Sequence, residues 1–440
     1  MFLYPRGFLR LCAYLFILQA IVTIYCFKIG IPPLVVYPLE IPCALVSIIL
    51  IPHLKLSLIE KNYIFYLLFT IFSWFIGAFW TQQIDILAVA HILKYSTPIL
   101  LIPIAKYLKR FFSASTIRTI LYAQFMFVLI NVGYLVFNYS TQPISITSMI
   151  WDYSPKYRFV GFTGYSLTSS GIQLIGTTSV QMGVYVAFLF LIFLSLFLYE
   201  RKWIYLVILL IIFTGEIFCY SRSGFLVMII GTLYLVKANF LERRTFRLIM
   251  AFIIIISLLL IFTNFANFIT SFGIFAKLSR MLSIEGLDSS AGHRIDLWRK
   301  AFRFLYKHPF VLLFGSGYGE IYNTMILGVP HFESFFITTL IRSGIAALTF
   351  LFLFYFYIWK YCSKYVKNCN IRNYYQAIMR GYAIFIPGIF VACLVGGNSL
   401  QTDFIVPTFY LILGICLSFS GEKHNVSFVA KNLYANNIIG

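Results

Sequence analysis

Pro330-His331-Phe332-Glu333 sets an imidazole and a carboxylate two residues apart, where a polar stretch gives way to an apolar one. A pair of this type can take the proton from a hydroxyl as that hydroxyl attacks. The dipole of a helix starting there favours the charged form of Glu333 and weakens it as a base, so His331 is preferred as base or substrate orienter. Eleven residues on, Arg342 falls on nearly the same helix face, about 16 Å deeper. A charge at that depth costs at least ~2.5 kcal/mol, so Arg342 must line a cavity or meet an acid.

Three more arginines have the setting of an anion site. His293 to Lys307 reads as an amphipathic helix ended by Pro309. At about 100° per residue, Ile295, Trp298, Ala301, Phe302 and Leu305 make one face, and Asp296, Arg299, Lys300, Arg303 and Lys307 make the other. The outward cations read as a solvated or headgroup-facing stripe. Arg294 falls in the middle of the apolar face, so its guanidinium points into the protein and needs an acidic side chain or a ligand phosphate. Arg222, in Ser221-Arg222-Ser223-Gly224, stands at a helix start, where snorkelling competes with an anion site built on the helix N-terminus. Arg158 lies in Tyr157-Arg158-Phe159-Val160-Gly161-Phe162-Thr163-Gly164, whose two late glycines allow close backbone approach to an anion or a sugar ring. A plain surface loop explains that segment equally well.

Other patterns carry less. Glu216 and Lys94 are charges inside apolar runs, and a salt bridge between them is the simplest account. Phe314-Gly315-Ser316-Gly317-Tyr318-Gly319 lacks the Gly-Lys-Ser/Thr ending of a phosphate loop and reads as a tight turn under the amphipathic helix. Zinc, Rossmann, Ser-His-Asp and EF-hand spacings are missing, so no metal and no cofactor is expected. The eight cysteines lie in or beside apolar runs or in an inner loop, with no disulfide framework on the oxidising side.

The elements that must hold these groups are membrane helices. Of 440 residues, 61% are hydrophobic and only 11% charged, against roughly 25% in a soluble protein. Mean hydropathy is +0.89. Apolar runs of spanning length fall at 9–28, 34–52, 63–80, 85–105, 117–138, 177–198, 203–220, 223–240, 247–266, 333–358, 377–396 and 404–419, an all-α polytopic protein of about twelve spans. The stretch 203–236 would run about 50 Å as one helix, so Ser-Arg-Ser-Gly is placed at a turn between two spans. With the N-terminus inside, 21 of the 34 Lys and Arg, Arg380 among them, fall on the cytoplasmic side, which puts both termini there. The net charge of +20 is thus mostly topology rather than nucleic-acid affinity. The first span has no cleavage-site pattern and reads as a span, not a signal peptide. Two outer segments are long, 139–176 and 267–332. The second holds seven cations on the side where the rule expects few. The chain is one membrane domain, 1–440.

In motif order over 158–350 the chain resembles the superfamily of Wzy-type O-antigen polymerases and O-antigen ligases. The matching pieces are Arg158-Phe159-x-Gly161-Phe162 and Thr214-x₆-Ser221-Arg222-Ser223-Gly224. They continue with Gly292-His293-Arg294-x₃-Trp298-x₂-Ala301, His308-Pro309-x₅-Gly315-x-Gly317 and His331-x-Glu333-Ser334-Phe335-x₄-Leu340-x₃-Gly344. Topology matches over the whole length, twelve spans with one large outer loop before the tenth. Two departures stand out. Tyr165-Ser166-Leu167-Thr168 replaces the Pro-Asn that commonly follows the first piece, and His331-Phe332-Glu333-Ser334-Phe335 replaces the ligase-like His-Asn-x-Tyr-Leu. The Glu-Ser-Phe version looks more like polymerases.

The resemblance implies a GT-C-like architecture in the bacterial inner membrane, with a periplasmic active site. Its implied partners are the bilayer, undecaprenyl-diphosphate-linked donor and acceptor oligosaccharides and a chain-length regulator, with no nucleic acid. It implies that Arg158, Arg222 and Arg294 bind diphosphate and that His331 or Glu333 serves the acceptor; Arg342 is added to the diphosphate-binding set on its depth in the span, not on the resemblance. The expected reaction is metal-independent, inverting glycosyl transfer by a polysaccharide polymerase. An O-antigen ligase passing glycan to lipid A-core, a lipid-linked oligosaccharide flippase and a peptidoglycan-type glycosyltransferase are the rivals. No internal repeat of the transporter kind is visible.

Overall fold

The structure, a computed structural model, describes residues 4–25, 29–31, 34–37, 39–141, 159, 164–168, 171–175, 179–219, 221–238, 284–329, 332, 334–367, 371, 373–395 and 405–419. Their helices are α1 (Arg6–Val22), α2 (Glu40–Leu50), α3 (Leu58–Thr81), α4 (Ile86–Tyr95), α5 (Thr97–Tyr107), α6 (Ala114–Thr141), α7 (Ser179–Glu200), α8 (Trp203–Cys219), α9 (Arg222–Ala238), α10 (Ile284–Lys307), α11 (Pro309–Phe314), α12 (Glu320–Leu327), α13 (Phe335–Lys367), α14 (Tyr374–Val395) and α15 (Ile405–Phe419). Six stretches are long and apolar enough to cross a bilayer: Leu58–Thr81, Ile86–Tyr107, Ala114–Phe137, Gln181–Glu200, Phe335–Val366 and Tyr374–Leu394. Shorter apolar helices accompany them. The architecture is that of a helical membrane protein. Six of the twelve expected spans, 63–80, 85–105, 117–138, 177–198, 333–358 and 377–396, fall on the long stretches; 9–28, 34–52, 203–220, 223–240 and 404–419 fall on shorter helices, and 247–266 lies outside the described residues, as does the expected loop 267–332 as far as residue 283.

Local chemistry sets the helix ends. Ser57 and Glu60 form a reciprocal capping box at the start of α3, the Ser57 N–H donating to Glu60 Oε2 at 2.7 Å. Asp85 caps α4 by accepting from the Ala88 N–H at 3.1 Å. Pro98, in the first turn of α5, divides the fourth apolar run at Ser96. The second run starts as strand rather than helix. In it β-branched Val35 and Val36 favour extension, and α2 begins only at Glu40.

A small sheet was not anticipated. β1 (Ile29–Ile31) and β2 (Leu34–Val36) form one hairpin, β3 (Gly164–Thr168) and β4 (Gly171–Ile175) another. β1 pairs with β3 in parallel, Ile29 opposite Tyr165, giving the order β2-β1-β3-β4. The sheet joins two of the expected outer connections, and β3 contains the Tyr-Ser-Leu-Thr segment that departs from the family pattern.

α7 is the centre of the bundle. It is apolar all round and buried all round, Val184 to Leu189 having no accessible surface, with α8, α9 and α14 packed on it. α13 packs on α3 and α14, and α15 on α5 and α1. At the end of the bundle expected to face the cytoplasm, Lys106 meets Glu60 at 2.6 Å, and Glu200 meets both Arg118 at 2.9 Å and Lys202 at 2.6 Å.

One charge assignment is corrected. Lys94 and Glu216 do not pair: Lys94 lies 3.9 Å from Glu40 and over the Tyr37 ring, while Glu216 is on α8 against α7 and α9. Arg380, counted among the cytoplasmic cations, is buried rather than on the surface. It lies nearly two turns into α14, and its Nη2 donates to the Ser195 carbonyl of α7 at 3.1 Å.

Candidate functional site

The apolar stretch 203–236 does break where expected. α8 ends at Cys219, Ser221 is non-helical, and α9 begins at Arg222. The Ser221 hydroxyl accepts from the Gly224 N–H at 3.1 Å and lies 3.0 Å from the Ser223 hydroxyl, a side-chain cap on the α9 N-terminus. The cap sits in a tight three-helix junction. A Cβ on Gly183 of α7 would stand 2.6 Å from Ser221 Oγ and 2.9 Å from Glu216 Oε1, and a Cβ on Gly224 would overlap Glu216 Oε1. The Glu216 carboxylate is fully buried with no hydrogen-bond partner for either oxygen among the described residues. The two glycines make its space; in the sequence the only signal of this junction is the Ser-x-x-Gly spacing of Ser221 and Gly224.

Phe159 fastens the first long outer segment to this junction. Its N–H donates to the Phe218 carbonyl at 3.0 Å, and its buried ring packs 5.8 Å from that of Phe127, over Gly215. Arg158, its neighbour in sequence, is outside the described residues.

The amphipathic helix is longer than expected, beginning at Ile284, and ends at Lys307 as Pro309 requires. It docks by Leu297, Ala301 and Leu305, with Phe332, Val311 and Ile341 beneath. Trp298 Nε1 donates to the Phe332 carbonyl at 3.1 Å, and Trp80, at the end of α3, contacts the rings of Phe304 and His308 at 6.4 and 5.9 Å. The expected apolar face is therefore rotated. Ile295 and Phe302 are 50% and 55% exposed, while Leu297 and Phe304 take their place against the protein. The reason is the shape of the floor: the kinked α13 and α11 meet the helix off the centre of its hydrophobic arc. After the rotation Arg294 still projects along the docked side, in line with Ala301 and Leu305, and is half-buried.

Arg294 and Arg222, 72 residues apart in sequence, lie within electrostatic reach and repel one another. One guanidinium comes from the start of α9, the other from the docked side of α10. Arg299, by contrast, makes an exposed pair with Asp296 at 3.0 Å, in keeping with a solvated stripe.

His331 and Glu333 are outside the described residues. The residues alternating with them are anchored. Phe332 is buried and its N–H donates to Thr338 Oγ1 at 3.3 Å, and the Ser334 hydroxyl accepts from the Ile337 N–H at 3.4 Å at the start of α13.

Arg342 finds the acid its depth demands. Its Nη2 lies 3.8 Å from Glu320 Oε1, and its guanidinium is 6.0 Å from the centre of the Tyr318 ring. Tyr318 lies in the glycine-rich segment and Glu320 follows it; the segment is the expected turn, and α10 touches the helices on either side of it. It is the tip of a helical hairpin, α11 and α12, pressed against a break in α13. Gly344 has φ +77, so the helix there loses its ladder and exposes the carbonyls of Ile341 and Arg342. The Ser316 N–H takes the first at 2.7 Å, the Gly317 N–H takes the second at 3.3 Å, and the Ser73 hydroxyl of α3 also donates to the Arg342 carbonyl. Non-helical backbone at membrane depth is stable only when so enclosed.

Among the described residues no group of three His, Cys, Asp or Glu side chains could hold a metal. The chain matches no family model, and comparison with curated proteins finds no match. What the arrangement offers chemically is a capped helix N-terminus bearing Arg222, with Arg294 within electrostatic range, a set suited to oxygens carrying more than one negative charge.

Proposed function

We propose that the protein is a glycosyltransferase of the polysaccharide-polymerase kind. It transfers a growing glycan from undecaprenyl diphosphate to the non-reducing end of another lipid-linked repeat unit. The observation that carries this reading is the capped start of α9 with Arg222 at its first position and Arg294 of α10 within electrostatic range. Two like charges on separate helices oppose each other's placement, and a dianionic or more highly charged ligand between them turns that cost into binding. In glycosyl transfer the anomeric C–O bond breaks and the diphosphate leaves with the electron pair, so the guanidiniums stabilise charge where it develops. The acceptor hydroxyl gives its proton to His331 or Glu333 as the new bond forms, and in-line attack inverts the anomeric centre. The motif order and the Glu333-Ser334-Phe335 version of the last motif favour polymerase over ligase.

The same reading gives the protein twelve spans in a GT-C-like arrangement, with both termini in the cytoplasm and the arginines facing the periplasm of a bacterial inner membrane. The ion pairs of Lys106, Arg118 and Lys202, all assigned to the cytoplasmic side, support it by gathering at one end of the bundle.

Purified protein in lipid nanodiscs, given an undecaprenyl-diphosphate-linked oligosaccharide, is expected to release undecaprenyl diphosphate and lengthen the glycan. Arg222→Ala and Arg294→Ala should each slow this by about 10²-fold, the loss seen when one preorganised charge stabiliser is removed. Normal chain lengthening by Arg294→Ala or His331→Ala would remove the site assignment. In cells, loss of the gene should leave single repeat units on the surface; their complete absence would mark a ligase.

A further inference from the structure

A cavity of about 220 Å³ lies away from the arginines, bounded by α1, α2, α3, α4, α5 and α15. Phe16, Cys43, Tyr63, Leu101 and Pro407 give it apolar walls. Its mouth lies between α2 and α4, where Ile41 and Leu93 are 51% and 64% exposed and Ala44 is exposed as well. In a membrane those positions face lipid, so the cavity is entered from the bilayer.

Three polar groups break the apolar lining. Lys94 and Glu40 form a loose pair at 3.9 Å, and Glu40 Oε2 also accepts from the Tyr37 N–H at 3.0 Å. Gln19 is 4% exposed, and its Oε1 has no hydrogen-bond partner among the described residues. The hydroxyls of Ser47, Ser96 and Thr97 are already spent on nearby carbonyls. Lys94 lies eight residues into α4, about 12 Å along the helix from its outer end. The buried Gln19 Oε1, left open, carries the desolvation penalty of an unmade bond, and a donor from a ligand removes it.

We propose that this cavity binds the headgroup of a phospholipid carrying a primary ammonium. The ammonium donates to Gln19 Oε1 and faces Glu40, the phosphate faces Lys94, and the acyl chains leave through the mouth beside Ile41 and Leu93. Ligand chemistry follows from the three groups together. A choline head has the positive charge but no N–H for Gln19. A glycerol head has donors but no cation for Glu40. Only the ethanolamine type answers both while keeping the site neutral. The site is independent of the glycosyltransferase reading, since none of Arg222, Arg294 and Arg342 lines it.

The test uses the full chain in nanodiscs of equimolar phosphatidylethanolamine, phosphatidylcholine and phosphatidylglycerol with identical acyl chains, and retained lipid read by native mass spectrometry. One phosphatidylethanolamine per chain is expected, enriched about tenfold over each of the others, the factor one charge-assisted hydrogen bond supplies. Gln19→Leu should abolish the enrichment. Ala44→Trp should abolish it too by closing the mouth from an exposed position, leaving the three polar groups untouched. Equal retention of the three lipids, enrichment of the choline or glycerol lipid, or full ethanolamine enrichment in Ala44→Trp would overturn the proposal. The last result decides it even if Gln19→Leu fails to fold.

Discussion

Arg222 and Arg294 differ in how much of their setting can be exchanged. Arg294 rises from the docked side of α10 and is half-buried, whereas Arg222 is exposed at the first position of α9. Lysine keeps the charge but not the planar fork that takes two oxygens at once. Arg294→Lys is therefore expected to retain lipid-diphosphate binding at low salt yet lower kcat/KM by about tenfold, the cost of roughly one charge-assisted hydrogen bond. Steady-state kinetics at two ionic strengths check this. Beside them, Gly224→Ala should be poorly tolerated although it is the mildest change in composition. The added methyl overlaps Glu216 Oε1 and stands 2.7 Å from the Gly183 backbone. Overpacking of this kind costs about 1–3 kcal/mol, and thermal unfolding in detergent should show a lowered midpoint. Glu216→Ala on the same background should recover only part of the loss, because the clash with Gly183 remains.

At the scale of elements, the joint between the α11–α12 hairpin and α13 holds these three helices in register. Gly315 and Gly344 both have positive φ, and a Cβ on either would overlap a carbonyl of the other segment, Arg342 in one direction and Leu313 in the other. Gly344→Ala combines backbone strain with a backbone clash, so it should prevent accumulation of folded protein. Ser316→Ala removes a 3.0 Å bond to the Ile341 carbonyl, which also accepts from the Ser316 N–H, and should cost only about 1 kcal/mol. Folded yield by fluorescence-detected size exclusion should rank the two in that order. The docking of α10 is looser, a short apolar strip and one indole bond. Trp298→Phe keeps the ring and loses the donation to Phe332. Amide exchange should then quicken in α10 and at Phe332 while α7 stays protected.

Across the whole molecule, charge decides which end of the bundle is which. Glu60 is fully buried and held by Lys106 from α5, so Lys106→Met leaves a buried carboxylate without its cation and should destabilise by about 3–5 kcal/mol. Adding Glu60→Gln should restore most of it, and chemical unfolding of the three variants checks the cycle. The proposed topology has its own test. Single cysteines at Lys307 and Lys364 in an otherwise cysteine-free chain should be labelled from opposite sides of the membrane by an impermeant maleimide.

Composition and apolar run length determined the class of protein, the places of its helices and the break at Ser221, because each depends on the local free energy of moving a segment from water into an apolar medium. Sequence also marked Arg294 as the odd cation of α10, since a 3.6-residue period can be counted without coordinates. It misjudged that helix's face by part of a turn, and it paired Lys94 with Glu216, because facing and pairing depend on what lies opposite. Only the tertiary structure decided that Arg222 and Arg294 come within electrostatic range, that Glu320 answers Arg342, and that a glycine-rich tip caps the carbonyls freed at Gly344. These are contacts between segments far apart in the chain. Their free energy comes from shared burial and mutual hydrogen bonding, which no single segment carries alone.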